Sequence, residues 1–163
     1  MVCAVERAAA EMFLAYDLVR ITEDEPVDAA SFRAHVEAGT AYVWESDGDV
    51  VGYLLLEVKD DAAHIEQVTV HPRAAGQRIG AALIDCSEAW AHEHGLRALT
   101  LTTFSEIPWN GPYYRRLGFA EVAPDEQGPE LAAQVKYEAS LGLTARPRIA
   151  MRRAVSRAVD DLP

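Results

Sequence analysis

The spacing of apolar residues divides the first third of the chain into two helices and a hairpin. Apolar residues recur at helical spacing from Val2 to Tyr16. A second, shorter helix is predicted over 29–38, with Gly39 well placed as its left-handed cap. The segments 41–45 and 50–58 are rich in β-forming residues. The polar turn of about four residues between them predicts an antiparallel hairpin.

A strand, a long helix and another strand follow. After the turn Asp60-Asp61, residues 63–70 are predicted to form the third strand, and 98–103 the fourth. The helix between them has an apolar stripe consisting of Ile79, Leu83, Cys86 and Trp90. The stripe places Cys86 in the core. A strand–helix–strand crossover normally lays its two strands parallel.

The remaining chain alternates short helices and strands. A short helix is expected over 112–117, a strand over 119–122, a helix from Gly128 to about 141, and a strand over 148–153 with Ile149 and Met151 facing inward. The fold class is therefore α/β (α+β), with a mixed, mostly antiparallel central sheet flanked by helices on both faces. We expect one domain, 1–163, with its motif-bearing core at 41–122, a C-terminal helix and strand at 129–153 and a flexible tail at 154–163.

Composition and charge limit the classes of function. The 163 residues are 50% hydrophobic and 25% charged, which is typical of a soluble globular protein. The longest apolar run, 50–58, is too short to span a bilayer, and the N-terminus shows no basic leader. We therefore expect a cytoplasmic protein without a membrane partner. Two cysteines, Cys3 and Cys86, indicate neither a metal site nor a disulfide framework.

The net charge of −11 argues against a nucleic-acid partner. It fits a cationic small molecule or a basic peptide end, although acidity that only keeps the protein soluble is an equal alternative. The acidic segments 23–25 and 125–130 either attract a cation or are solvated surface. The arginine-rich segment 146–157 is interpreted as a solvated end or an edge strand.

The third strand has an irregular pattern of apolar residues. Ile65, Val68 and Val70 are separated by three and then two positions, and a regular strand cannot place all three on one face. A β-bulge near Glu66–Gln67 would restore the phase, and bulges are common beside active sites. The alternative is an exposed Ile65.

The loop between this strand and the long helix contains small residues. Gly76 and Gly80 allow an anion to approach backbone N–H groups at the positive end of the helix. This arrangement suits a pyrophosphate. Taken alone, the same residues are equally typical of a tight entry into a helix, since neither a P-loop nor a dinucleotide motif is present.

Two segments together resemble the GNAT superfamily of N-acetyltransferases. Val70-His71-Pro72 followed by Gly76-x-x-Ile79-Gly80-Ala81-Ala82-Leu83 is similar to the family's acyl-CoA-binding motif. Some 40 residues later, Tyr114-Arg115-Arg116-Leu117-Gly118-Phe119 resembles its Tyr-x-x-Leu-Gly-Phe signature, and Gly52-Tyr53 also fits. The resemblance covers about 41–122. It implies binding of acetyl-CoA as co-substrate and transfer of an acetyl group to an amine.

The chain departs from the family pattern at two loop positions. Ala75 stands where the family commonly has Gln or Arg, and Arg78 stands in place of its middle glycine. The family's usual first strand is missing or very short in this sequence. The cofactor-binding residues expected from the loop, the strand before it and the later segment are Val68, Thr69, Val70, Ala75, Gly76, Gln77, Arg78, Ile79, Gly80, Ala81 and Asn110.

Acetyl transfer to an amine requires groups that accept and donate protons. An alkyl ammonium, with a pKa of about 10, must lose a proton before it attacks a thioester. Glu66 is the carboxylate best placed to accept it, directly or through water, and burial would favour this uptake. A backbone N–H from Val68 to Val70 would stabilise the oxyanion. The alternative for Glu66 is a strand glutamate in a charge pair.

Two further residues have open interpretations. By resemblance, Tyr114 donates a proton to the leaving CoA thiolate, and the alternative is an aromatic residue packed into the core. Asn110 either caps the short helix or contacts the pantetheine arm.

We therefore expect an enzyme that uses a ternary complex, without metal, as a monomer or homodimer. The acceptor amine is not readable from the sequence. The alternatives are a catalytically weak acyl-CoA-binding sensor or interaction module of the same fold, and a nucleotide-binding domain, which would leave the segment Tyr114–Phe119 unexplained.

Overall fold

The computed structural model describes residues 2–23, 26–141 and 146–156. Its α-helices are α1 (Val2–Ala10), α2 (Val19–Glu23), α3 (Ala29–Ala38), α4 (Ile79–Glu93), α5 (Gly111–Arg116) and α6 (Pro129–Ser140). Its strands are β1 (Ala41–Ser46), β2 (Asp49–Lys59), β3 (Ala62–Val70), β4 (Ala98–Phe104), β5 (Ala120–Val122) and β6 (Arg148–Ala154). Short 3-10 helices occupy Glu11–Tyr16, Pro72–Ala74 and Pro124–Glu126.

The strands form a six-stranded sheet in the order β1-β2-β3-β4-β6-β5. β1 pairs antiparallel with β2, and β6 pairs antiparallel with both β4 and β5. β3 and β4 pair in parallel, with Ala63 opposite Leu99 and His64 opposite Thr100. The predicted crossover around α4 and the mixed, mostly antiparallel sheet are therefore confirmed.

The chain forms two compact units. The first contains the described residues of 1–57 and 65–86, and the second those of 58–64 and 87–163. The loop before α4 and the N-terminal helices belong to the first unit. The segment Tyr114–Phe119, β6 and α6 belong to the second.

Helices cover both faces of β2 in the first unit. Tyr53 packs with Val5 of α1, and its ring centroid lies 6.2 Å from that of Phe32 on α3. The neighbouring position, occupied by Gly52, belongs to the opposite face of the strand because successive positions alternate between the two faces. A Cβ built on Gly52 would come 3.1 Å from Cγ2 of Ile79, at the start of α4. Glycine at position 52 therefore allows α4 to approach the strand closely.

Both turns that flank β2 are tighter than ordinary loops. Asp47 and Gly48 have φ of 54° and 82°, so β1 and β2 are joined by a two-residue turn with the positive φ values of type I′, and the predicted turn of about four residues is wrong. Asp60 and Asp61 likewise have φ of 48° and 56° and form the predicted turn between β2 and β3. Aspartate tolerates this conformation better than most residues.

The N-terminal helical segment is less regular than predicted. The α-helix ends at Ala10 and continues as a 3-10 helix over Glu11–Tyr16, which Asp17 ends with φ of 60°. The additional helix α2 falls in a segment that the apolar pattern did not mark. The predicted α3 with its left-handed Gly39 cap is confirmed. Within the described residues, no helix has both the length and the apolar character needed to cross a membrane.

Cys86 is exposed, so the prediction that it lies in the core is wrong. The buried arc of α4 passes instead through Leu83, Ser87 and Ala91. Because each helical residue turns by about 100°, position 86 falls at the edge of this arc. The stripe from Ile79 to Trp90 is otherwise confirmed, since both of these residues are buried.

β6 lies inside the sheet rather than at its edge. Its residues pair with β4 from Arg148 to Ala154, and β5 covers its other side. The edge-strand and solvated-end interpretations of this segment are therefore wrong for its described part. Met151 is fully buried as predicted, whereas Ile149 is half-buried. Residue 157 lies outside the described residues.

Candidate active site

The central part of β3 does not follow a simple alternation. Ile65 is 4% exposed, which excludes the exposed-isoleucine alternative. Glu66 bonds to His35 of α3, and its neighbour Gln67 bonds to Glu6 of α1. Both helices pack on the Tyr53 face of the sheet, so two consecutive side chains reach the same face. A bulge at Glu66–Gln67 would have this effect.

Glu66 lies within hydrogen-bond distance of a histidine. Its Oε2 lies 3.0 Å from Nε2 of His35, and the two side chains are 39% and 14% exposed. Nδ1 of His35 lies 2.9 Å from Oγ1 of Thr40. The burial that was expected to favour proton uptake by Glu66 is therefore absent, and an imidazole stands within hydrogen-bond reach of the carboxylate.

Glu6 is a site residue that the sequence analysis missed. Its Oε2 accepts hydrogen bonds from the backbone N–H of Val27, at 3.0 Å, and from the hydroxyl of Tyr53, at 2.9 Å. Its Oε1 accepts from Nε2 of Gln67, at 3.0 Å. Accepting from every partner is the role of an ionised carboxylate. A glutamate on the polar side of a short helix carries no local signal of such long-range partners.

Glu6 and Gln67 line a cavity of about 340 Å³ in the first unit. Its other lining residues are Arg7, Ala9, Ala10, Glu11, Phe13, Ile21, Pro26 and Thr69. The walls from α1 and the chain after it are mainly apolar, and the polar groups on β3 are Gln67 and Thr69. Of the predicted cofactor-binding residues, Thr69 therefore lies at this cavity, and Val68 and Val70 flank it on the strand, half-buried.

The loop before α4 exposes its backbone. Residues 75–78 are exposed, and the first helical bond runs from the N–H of Ala82 to the carbonyl of Arg78. Within the described residues, the N–H groups of Ile79, Gly80 and Ala81 have no acceptor. Unpaired N–H groups at the positive end of a 15-residue helix form a site for an anion.

The structure explains how Arg78 replaces the family's glycine. Arg78 has φ of 61° and Gly76 has φ of 79°, so the loop contains two left-handed residues around Gln77. Arginine at position 78 keeps the backbone conformation that glycine adopts more easily. Arg73, earlier in the same loop, is paired with Asp49 at 2.9 Å. Ala75 is exposed and contributes only backbone atoms beyond its methyl group.

The segment Tyr114–Phe119 folds back on itself in the second unit. Gly118 has φ of 86° after α5, and this lets the N–H of Phe119 donate to the carbonyl of Tyr114 at 3.1 Å. The two rings pack edge to face with centroids 5.8 Å apart. The guanidinium of Arg153 lies 5.1 Å from the Phe119 ring and donates to the carbonyl of Leu117. These contacts give the Tyr-x-x-Leu-Gly-Phe pattern a structural reason.

Tyr114 is buried, as the core-packing alternative states. The pKa of the Tyr114 phenol is raised well above its usual value near 10. Burial is the main cause and the neighbouring Tyr113 the second, while Arg148 lowers the pKa only in part. The phenol is therefore protonated at neutral pH, which is the form that donates a hydrogen bond. Packing and donation are compatible.

Asn110 occupies the N-cap position of α5, but it does not cap the helix with its side chain. Its side chain makes no hydrogen bond to the helix, and its Nδ2 donates to Oγ1 of Thr103 at 2.8 Å. Oδ1 of Asn110 is buried and has no partner within the described residues. The next residue is a glycine because a Cβ on Gly111 would come 2.5 Å from the carbonyl oxygen of Ser105. A buried acceptor without a donor is costly.

The described parts of the two acidic segments form no defined metal-ion site. Glu23 ends α2 and is exposed, while residues 24 and 25 lie outside the described residues. In the second segment, Glu130 accepts from the N–H of Asp60. Among the described residues, no group of three or more His, Cys, Asp and Glu side chains is arranged to hold a metal ion.

The family model described as "Acetyltransferase (GNAT) family" matches residues 7–119. The match covers more than half of the chain, including the anion site at α4, β3 and the segment Tyr114–Phe119. The chain therefore belongs to the acetyltransferase (GNAT) family.

Solved structures with the same fold have low sequence identity. PaiA N-acetyltransferase from Thermoplasma acidophilum, in complex with coenzyme A, is 13% identical with a TM-score of 0.68, over 94% of this chain and 90% of that one. Ribosomal-protein-S18-alanine N-acetyltransferase from Escherichia coli is 16% identical with a TM-score of 0.51, over 84% and 96%.

N-acetylglutamate synthase from Neisseria gonorrhoeae, complexed with coenzyme A and N-acetyl-glutamate, is 18% identical with a TM-score of 0.66. The match covers 92% of this chain but only 32% of the synthase chain, so this chain spans about a third of its length. At these identities the likenesses show the fold alone.

Proposed function

We propose that this chain is an N-acetyltransferase that moves an acetyl group from acetyl-CoA to a primary amine by direct attack in a ternary complex. The observation that carries the proposal is the set of unpaired N–H groups at the start of α4, in a chain of the GNAT family. The acceptor is an amine of a small molecule or of a peptide or protein.

The proposed contacts to acetyl-CoA follow from the groups left without partners. The backbone of 75–81 is proposed to hold the pyrophosphate, with the charge of Arg78 beside it. Oδ1 of Asn110 is proposed to accept from an amide N–H of the pantetheine arm, which would satisfy a buried acceptor. Backbone N–H groups of 68–70 are proposed to stabilise the oxyanion.

The proposed reaction forms one bond and breaks another. The neutral amine nitrogen bonds to the acetyl carbon, and the carbon–sulfur bond to CoA breaks. The ammonium gives up two protons in all, one before attack and one afterwards, and the CoA sulfur gains one. Glu66 is proposed to accept a proton from the amine, directly or through water, with His35 in position to take it onward.

Tyr114 is proposed to donate to the leaving sulfur. Burial keeps its phenol protonated. Because the pKa of that phenol exceeds the value of about 8.5 for a thiol, we expect the phenol to stabilise the thiolate by a hydrogen bond. Full transfer of the proton would be unfavourable, so the CoA sulfur would take its final proton from water.

Two measurements test this proposal. Acetyl-CoA should raise the melting temperature and ATP should not; the absence of any effect of acetyl-CoA would refute the proposed cofactor. Thiol release with a panel of amines then separates an enzyme from a CoA-binding sensor, which would bind the cofactor without turnover.

Variants test the proposed mechanism. Tyr114→Phe and Glu66→Gln should each lower the rate of thiol release at least tenfold, whereas Tyr137→Phe, on an exposed face of α6, should not. Unchanged rates in both site variants would refute the mechanism.

A further inference from the structure

The cavity beside Glu6 has a composition that selects its ligand by charge. Glu6 is half-buried, and its three partners are the N–H of Val27, the hydroxyl of Tyr53 and the amide of Gln67. All three are neutral donors. Within the described residues, no Lys, Arg or His forms an ion pair with Glu6. Arg7 also lines the cavity but is exposed, and Glu11 adds a second carboxylate, so the charged lining residues that the structure describes carry a net negative charge.

The hydrogen bonds of Glu6 and Gln67 leave acceptors but no donors for a ligand on these two side chains. An ionised carboxylate offers about four acceptor sites, and Glu6 uses two on Oε2 and one on Oε1. Nε2 of Gln67 donates to both Glu6 and Thr69, so the two protons of this amide are used. The remaining groups of these two side chains, one site on Glu6 and the carbonyl of Gln67, accept hydrogen bonds. A group with several N–H donors fits them, and an anion does not.

The remaining walls fit a small apolar body. Apart from the charged residues Arg7 and Glu11, these walls are formed by Ala9, Ala10, Phe13, Ile21 and Pro26. The volume of about 340 Å³ lies near the lower end of the range of roughly 300–1,000 Å³ for ligand sites. This size favours a compact molecule over a large polycation.

We infer that this cavity binds the acceptor, and that the acceptor is a small primary ammonium with an apolar aryl or alkyl body, selected by Glu6. The inference rests on the proposed acetyl transfer, whose acceptor it specifies. Glu6 serves recognition and not proton removal, because its charge is committed to three donors and to the ammonium. The ion pair forms with the free substrate and is not specific to the transition state, so its loss should raise KM more than it lowers kcat.

Binding of three ligands that share one body tests the charge selection in the unmodified protein. Phenethylamine, 2-phenylethanol and phenylacetate carry an ammonium, a neutral hydroxyl and a carboxylate on nearly the same framework. Titration by NMR or calorimetry at pH 7, with CoA present, should show phenethylamine binding at least tenfold tighter than the alcohol. Phenylacetate should bind weakest. Equal binding of the amine and the alcohol, or tighter binding of phenylacetate, would overturn the inference.

Two variants locate the selection within the cavity. Glu6→Gln should reduce the preference for the ammonium over the alcohol to below about threefold and raise KM for phenethylamine at least tenfold. Glu37→Gln, which removes the same charge from an exposed position of α3 outside the cavity, should keep the preference. Because Glu6→Gln also affects folding contacts, Ala10→Leu provides a second test. It should weaken binding of the amine and the alcohol alike by narrowing the apolar wall, and undiminished binding would contradict the assignment of the cavity.

The outcomes separate this inference from the proposed function. Thiol release with many amines but without charge selection would overturn the cavity assignment and leave acetyl transfer standing. Selective binding of phenethylamine, with no thiol release from acetyl-CoA for any amine of the panel, would support an ammonium site in the cavity and refute the transferase.

Discussion

The hydroxyl of Tyr53 donates a 2.9 Å hydrogen bond to the carboxylate of Glu6, and this bond joins the centre of β2 to α1. Tyr53 is completely buried, and its ring also contacts α3. The bond holds the carboxylate beside the cavity that we assign to the acceptor. One contact between residues 47 positions apart therefore serves both the core of the first unit and its candidate site.

Removing this hydroxyl should destabilise the protein. A hydrogen bond to a charged group contributes roughly 1.5–3 kcal/mol, so Tyr53→Phe should lower the free energy of unfolding by about 2 kcal/mol. Urea denaturation measures this change. Tyr137→Phe, at a position that is 59% exposed, is the matched control and should stay within about 0.5 kcal/mol of the unmodified protein. Similar losses for the two variants would contradict the role given to the bond.

The two buried tyrosines should make the protein less stable at alkaline pH. Burial, and then the charge of Glu6, raises the pKa of Tyr53, and burial raises that of Tyr114. Their stabilising contribution is complete below the unfolded-state pKa of about 10 and is lost as pH rises toward the folded-state values. Above pH 10 each tyrosine should lower the free energy of unfolding by up to about 1.4 kcal/mol per pH unit.

The difference between variants isolates this alkaline effect from other titrating groups. Urea denaturation from pH 9 to 11 should show a shallower decline in Tyr53→Phe and in Tyr114→Phe than in the unmodified protein. Tyr137→Phe should follow the unmodified protein. Parallel declines in all four proteins would exclude the two buried phenols as the cause.

Glycine at position 78 should stabilise the loop before α4. A left-handed conformation costs a residue with a side chain roughly 1–2 kcal/mol, and the extra freedom of glycine in the unfolded chain returns roughly 0.5–1 kcal/mol of this. Arg78→Gly should therefore raise the free energy of unfolding by about 0.5–1 kcal/mol. Gln77→Gly, at a neighbouring residue without positive φ, should lower it by a similar amount. Destabilisation by both substitutions would contradict this explanation.

The same variant tests whether the charge of Arg78 assists acetyl-CoA. If the side chain lies near a phosphate, Arg78→Gly should weaken acetyl-CoA binding several-fold while increasing stability. Calorimetric titration at low and at high salt measures the difference, which should shrink as salt screens the charge. Equal affinities at low salt would show that only the backbone of the loop contributes.

Asp60 caps α6 from a distant turn. Its Oδ1 and Oδ2 accept from the N–H groups of Glu130 and Leu131, at 3.0 and 2.7 Å, and a Cβ on Gly128 would collide with its carboxyl group. Gly128→Ala should therefore cost about 2 kcal/mol. In an Asp60→Gly background, where the obstructing side chain is absent and the positive φ is kept, the same substitution should cost less than about 0.5 kcal/mol. A double-mutant cycle by urea denaturation measures the coupling, and additive effects would contradict it.

Local patterns were sufficient for most of the fold. Alternation and helical spacing predicted β1 to β6 and five of the six described α-helices, because these periods depend on residues close together in the chain. Cys86 was wrongly predicted to be buried because an apolar stripe gives the position of the buried helix face only to within one residue. The two-residue turn at Asp47-Gly48 was missed because the flanking polar residues continue the strands.

The site was predicted only in part. The loop 75–81 and Tyr114 were assigned to the site because sequence motifs mark them, and these assignments remain predictions. Asn110 was predicted either to cap α5 or to contact the pantetheine arm, and its side chain does not cap the helix because its partner, Thr103, lies on β4. Glu6 was missed because its three partners belong to the 26–28 segment, β2 and β3, and none of them is near it in sequence.

The sequence by itself determined the order of the strands and of the described α-helices other than α2, the parallel crossover around α4 and the family, since each depends on neighbouring residues and short motifs. Tertiary structure alone decided which carboxylates meet which donors. Glu66 pairs with His35, Glu6 with Tyr53 and Gln67, and Asp60 with the start of α6. Such contacts depend on how separate elements pack and on which buried polar groups need partners, and neither appears in the periodicity of a single segment.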